Sequence, residues 1–136
     1  MRKISKNITF EEATISPTAL RLGIKNEPNE AQLTAMVMVA EMCFEPLRKW
    51  YGKPIKINSF FRCSELNEAV KGSKTSQHVS GHAIDMSAGS KKENEKLFNW
   101  CKDNLEFDQL INEYDFSWVH ISYVPNKNRK QILVIK

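Results

Sequence analysis

Two short apolar stretches of this chain each carry a side chain that a hydrophobic sheet would reject. In Ala83-Ile84-Asp85-Met86-Ser87 it is a carboxylate, and in Trp118-Val119-His120-Ile121-Ser122 it is an imidazole. Both stretches read as strands, and period-two alternation turns His120 to the face opposite Val119 and Ile121. Polar groups in such positions need partners, because burying them alone is costly. His78 lies seven residues before Asp85, with Ser80-Gly81 between them. Gly81 permits a positive φ or a close backbone approach, so a tight turn there folds His78 back beside Asp85. Two imidazoles and one carboxylate form a three-ligand set that leaves a tetrahedral zinc one open position. A catalytic zinc needs that opening, so Zn2+ on His78, Asp85 and His120 is the expected cofactor site.

Helical patterns precede these strands. Thr9 and Ser16 read as caps of two short helices, the second running from about Pro17 to Leu22. From Asn29 onward, Leu33, Val37, Ala40, Phe44 and Leu47 recur on one helical face; Met36, Met38 and Met42 broaden it, and Gly52 ends it near residue 51. Pro46 is expected to kink that helix. A strand follows over 53–59, then a short helix over 65–70 capped by Ser64, the strand at 83–87, and a helix from Ser90 to about Asn104. Residues 108–113 and 117–123 read as strands joined at Tyr114-Asp115-Phe116, and 131–135 as a last strand. Helices first, then a sheet with an inserted helix, is the α+β pattern. The expected architecture is an antiparallel sheet flanked by helices. It forms one domain over 1–136, with an N-terminal helical segment, 1–51, packed on it.

The formal charge of +4 is scattered along the chain, with no clustered basic helix and no interleaved aromatic strip, which argues against nucleic-acid binding. The cysteines, Cys43, Cys63 and Cys101, are odd in number and lack CxxC spacing, so buried or half-buried thiols in a reducing compartment are expected. No apolar run is long enough to span a membrane, and none follows the basic residues of the N-terminus. The chain is therefore expected to be cytoplasmic as synthesised, with no membrane partner. A monomer is expected.

Ser76-x-His78-x-x-Gly81-x-Ala83-x-Asp85 followed by Trp118-x-His120-x-Ser122 resembles the zinc D-alanyl-D-alanine carboxypeptidase and peptidoglycan endopeptidase family, which shares its fold with the Hedgehog signalling domain. The likeness extends to Ile57–Arg62, to Leu66-Asn67 and to Phe107-Asp108 through Glu113, and covers about residues 30–123. The N-terminal helices resemble small, phage-associated stand-alone members.

The resemblance implies zinc on His78, Asp85 and His120, and hydrolysis of a peptide bond in the stem peptide of bacterial peptidoglycan; carboxypeptidase and endopeptidase activities both stay open. It implies Glu113 as general base, at the end of the Phe-Asp-x4-Glu segment. Where many relatives carry an acid three places before the last histidine this chain has Ser117, so Asp115 stays as the alternative base. Arg62 would hold a substrate carboxylate, a task that suits a guanidinium fork. Ser76 and Gln77 would bond the substrate backbone. Trp118 stands where many relatives have a second histidine and would border the substrate. His82 reads as cleft lining and Asp108 as a structural hydrogen-bonding group. Access to a cell wall would then require release, as in a phage or prophage protein. The competing reading is a non-enzymatic, zinc-containing binding module of the same fold.

Overall fold

The alternating run at 118–122 becomes the middle strand of a five-stranded sheet in the computed structural model, which describes residues 2–136. The strands are β3 (Lys56–Ser59), β4 (Ala83–Ser87), β5 (Gln109–Glu113), β6 (Trp118–Ser122) and β7 (Gln131–Ile135), in spatial order β3-β4-β6-β5-β7. The first four pair antiparallel, whereas β7 lies parallel to β5. The sheet is thus mixed at one edge rather than antiparallel throughout. The reason lies in the turn over 123–130. It stays at the end of the sheet where β5 begins, tied there by Lys130 N–H to Phe107 O (2.9 Å) and Gln131 N–H to Asp108 O (2.9 Å). A strand launched from that end on the free edge of β5 must run in the same direction as β5.

A small hairpin, β1 (Lys3–Ser5) with β2 (Ile8–Thr9), precedes the helices, an element the weak alternation of residues 1–10 did not announce. Glu45 anchors it, accepting from Ser5 Oγ and from both the backbone and side-chain nitrogens of Asn7. The expected caps are present on α1 (Phe10–Thr14, capped by Thr9) and α2 (Pro17–Leu22, capped by Ser16). The long apolar pattern forms α3 (Glu30–Val39), one π-helical turn (Ala40–Phe44) and α4 (Glu45–Tyr51). Pro46 follows directly on the widened turn, which accommodates its ring and missing N–H, so the helix runs on without a break. Ser64 is the first residue of α5 (Ser64–Ala69) rather than its cap; that place falls to Cys63. Helix α6 (Lys91–Asn104) is capped by Ser90 as expected. Between β5 and β6, Tyr114, Asp115 and Phe116 all take left-handed backbone angles, φ 52°, 54° and 58°. Asn112 Oδ1 holds this turn by accepting from Phe116 N–H at 2.6 Å.

The two faces of the sheet differ. Ile84, Met86, Leu110, Val119 and Ile121 are fully buried and join Met36, Val39, Phe44 and Leu97 in one core cluster that also takes in Ile4 and Ile8. The same cluster contains Cys43 and Cys101, and burial pushes the Cys43 thiol up to about 12. All three cysteines are free thiols. Among the described residues, no helix is long and apolar enough to cross a membrane.

The loop before β4 meets α3 at Gly81, whose φ is +84° and whose Cβ, if it had one, would collide with the carbonyl oxygen of Gln32. Gln32 Nε2 in turn donates to Val79 O at 3.1 Å, so a side-chain bond joins helix and loop beside that close approach. Gly52, at φ +73°, has open space where a Cβ would go. Gly52→Ala should cost about 1 kcal/mol, the left-handed penalty alone. Gly81→Ala adds a clash with backbone and should cost more than about 2 kcal/mol, readable as a larger fall in the urea midpoint at unchanged slope.

Candidate metal and substrate site

Register places Asp85, His120 and Glu113 on the face opposite the core. Asp85 on β4 lies directly across from His120 on β6, and His120 across from Ile111 on β5. Two residues further along, Glu113 pairs with Trp118. Residues paired in this way share a face, as do residues two apart on one strand. The result is a floor of Asp85, His120, Trp118, Gln109, Ile111 and Glu113, in a cleft of about 530 Å³ that Arg62, Ser76, Gln77 and His78 also line.

His78 reaches this floor from the loop before β4. Its Nδ1 lies 2.7 Å from Phe60 O. A carbonyl only accepts, so Nδ1 carries the proton and Nε2 is the ring nitrogen left for a ligand. That Nε2 lies 3.1 Å from Asp85 Oδ2, and His120 Nδ1 lies 2.9 Å from Asp85 Oδ1. All three residues are buried, and one ligand atom from each lies within 4.8 Å of the others. Burial pushes the Asp85 carboxyl up, but the two imidazoles outweigh it, so the group is held well below the usual carboxylate range. Either a proton on Nε2 or a bound cation satisfies a ring nitrogen and an ionised oxygen at this distance. Two nitrogens and an oxygen suit zinc. The residues present therefore fit the metal that the sequence leads one to expect.

Glu113 stands beside this set, with Oε2 at 3.9 Å from His120 Nδ1. Its carboxyl is raised above its ordinary value, first by burial and then by the charge of Asp85, while a bond from Trp118 works the other way. That bond, Trp118 Nε1–H to Glu113 Oε2, measures 2.7 Å. Trp118 lines the cleft, but its one N–H is committed to Glu113. Asp115, the alternative base, points elsewhere: its side chain is 83% exposed and pairs with Lys91.

Arg62 extends into the cleft from the segment after β3. Its only side-chain bond runs from Nη2 to Ser76 Oγ at 3.4 Å, and its Nε is buried without a partner among the described residues. Burial lowers the guanidinium from its ordinary value, opposed by Asp85 and Glu113. Ser76 Oγ also accepts from His78 N–H at 3.2 Å, which ties the loop to the clamp. Gln77 donates from Nε2 to Asp108 Oδ2 at 2.7 Å. His82 bonds Ser80 Oγ and lines a neighbouring groove on the other side of this loop, together with Gln32 and Lys74.

The family model described as Peptidase M15 matches residues 6–122. The chain belongs to the M15 peptidases. The coarse activity is therefore that of a zinc metallopeptidase, and the His78–Asp85–His120 cluster is a set that could hold its metal. No curated protein matches the chain.

Two features of this M15 peptidase escape sequence reading. One is Asn26, whose side chain lies against the Arg62 segment; it sits in an unpatterned stretch and gives no signal. The other is Arg129, which locks Asp108 through Nε (2.8 Å), Nη2 (2.9 Å) and its backbone N–H (3.0 Å). Arg129 lies in the polar stretch before β7, which carries no periodic signal.

These bonds, Arg129 first, lower the Asp108 carboxyl from 3.8 to about 2 against the opposing effect of burial. A depressed folded-state value means the contacts stabilise fully above the ordinary carboxylate range and are lost as pH falls through about 2. Asp108→Asn should therefore be less stable than wild type at pH 7, and the gap should close progressively between about pH 4 and pH 2. Urea unfolding across that range measures it.

Proposed function

We propose that this M15 peptidase hydrolyses a peptide bond in the stem peptide of bacterial peptidoglycan, next to a free carboxylate of the substrate. The observation that carries the reading is the buried, unpartnered Arg62 Nε beside Glu113 and the His78–Asp85–His120 set in one polar cleft. A buried donor without an acceptor calls for explanation, and a carboxylate supplied by substrate is the acceptor a guanidinium fork suits best.

His78, Asp85 and His120 would hold the zinc, which supplies a Lewis acid and an activated water when bound. Glu113 takes a proton from the attacking water and returns it to the leaving amine. A carboxylate raised by burial is better matched to that work than an exposed one. The bond from Trp118 Nε1–H holds the Glu113 carboxylate in place beside the His78–Asp85–His120 set. Arg62 fixes the carboxylate end of the peptide, and Ser76 and Gln77 border its backbone. Carboxypeptidase action on a terminal D-alanine and endopeptidase action on a bridge with a nearby free carboxylate both satisfy this arrangement. In this reading the protein acts on the wall after release, as in lysis by a phage or prophage; among the described residues no helix is long and apolar enough to cross a membrane.

The test is digestion of purified peptidoglycan by the zinc-loaded protein, with fragments weighed by mass spectrometry. Glu113→Gln should bind zinc as wild type does and lose turnover by a factor of about 10² to 10⁴. Arg62→Ala should raise KM for substrates with a free carboxylate and leave their amidated counterparts unchanged. Intact muropeptides after exposure to the wild-type protein would overturn the reading.

A further inference from the structure

We infer that Asn26 is a positioning residue for Arg62 and thereby sets the preference for a substrate carboxylate; this rests on the site reading proposed above. Asn26 lies outside the motif residues, in the stretch between α2 and α3, and is buried. Its amide makes three hydrogen bonds, all to backbone. Nδ2 donates to Phe61 O (2.9 Å) and Thr14 O (2.8 Å), and Oδ1 accepts from Cys63 N–H (2.7 Å). Two of the three bonds therefore grip the peptide groups on either side of Arg62. Phe61 N–H donates in addition to Ala13 O at 2.9 Å, so the segment is fastened to the N-terminal helices on that flank.

Its other flank carries the site. Arg62 N–H donates to His78 O at 3.2 Å, and Phe60 O accepts from His78 Nδ1. Arg62 itself has no carboxylate within ion-pair distance among the described residues, and its one side-chain bond, to Ser76, is long at 3.4 Å. The guanidinium is thus aimed by its backbone more than by bonds of its own. Without Asn26, the Phe61 carbonyl and Cys63 N–H would be left without this partner, and the segment would shift to find others. A two-bond fork tolerates little displacement, and a misplacement of about 1 Å can cost about a hundredfold in rate.

A merely structural asparagine would lower stability without changing which substrate is preferred. The experiment compares kcat/KM of the zinc-loaded chain on two peptides identical except for a free or amidated carboxylate beside the scissile bond. Wild type should prefer the acid. Asn26→Ala should lower the acid-to-amide ratio about tenfold or more, towards that of Arg62→Ala, mainly through KM on the acid. Gly52→Ala, which loses stability elsewhere, should keep the wild-type ratio. Should Asn26→Ala fail to fold, Asn26→Ser is read in the same way. A wild-type ratio in the Asn26 variant, with the ratio lost in Arg62→Ala, overturns the inference and leaves the functional reading standing. A wild-type protein that hydrolyses neither peptide, or shows no preference, overturns that reading and the inference with it.

Discussion

The structure depends on one buried carboxylate placed between two imidazoles. Asp85 offers one oxygen to His78 Nε2 and the other to His120 Nδ1, in the middle of a sheet whose opposite face packs against the hydrophobic core. Such a group is costly to bury unless its partners arrive with it. Strand pairing brings His120, because Asp85 and His120 are directly opposed on β4 and β6. A slip of one residue would turn Asp85 into the core and bring an isoleucine to the site. Pairing register and site chemistry are thus one constraint.

The third member, His78, comes from a loop, and loops need external support to hold a side chain still. That support comes from a close backbone approach and from side-chain bonds to backbone carbonyls. Gly81 lets the loop lie against α3, and Phe60 O fixes the His78 tautomer. Because residues 60–63 are fastened to the N-terminal helices, the first third of the chain belongs to the machinery of the cleft rather than standing beside it.

Much of this was legible in the residues. Alternation at 118–122 placed His120 on the face away from Val119 and Ile121, and caps at Thr9, Ser16 and Ser90 located helices, because these signals are local. The spacing of His78, Gly81 and Asp85 pointed to a tight turn, and the turn is there. What stayed hidden depends on long-range pairing. The parallel course of β7 follows from where a turn is anchored to Phe107 and Asp108, not from the composition of 131–135. The grip of Asn26 on residues 35 and 37 places away has no periodic trace. Choosing between Glu113 and Asp115 as the residue that reaches the cleft required the three left-handed residues of the hairpin, which turn Asp115 out to Lys91.

The most direct test of the account is an anomalous-scattering map, recorded at the zinc edge, from crystals of the protein grown with zinc. The account predicts one strong peak in contact with His78 Nε2, a carboxylate oxygen of Asp85 and His120 Nδ1, lost in His120→Ala crystals. A map with no peak among these three side chains, or with the metal bound elsewhere, would contradict it.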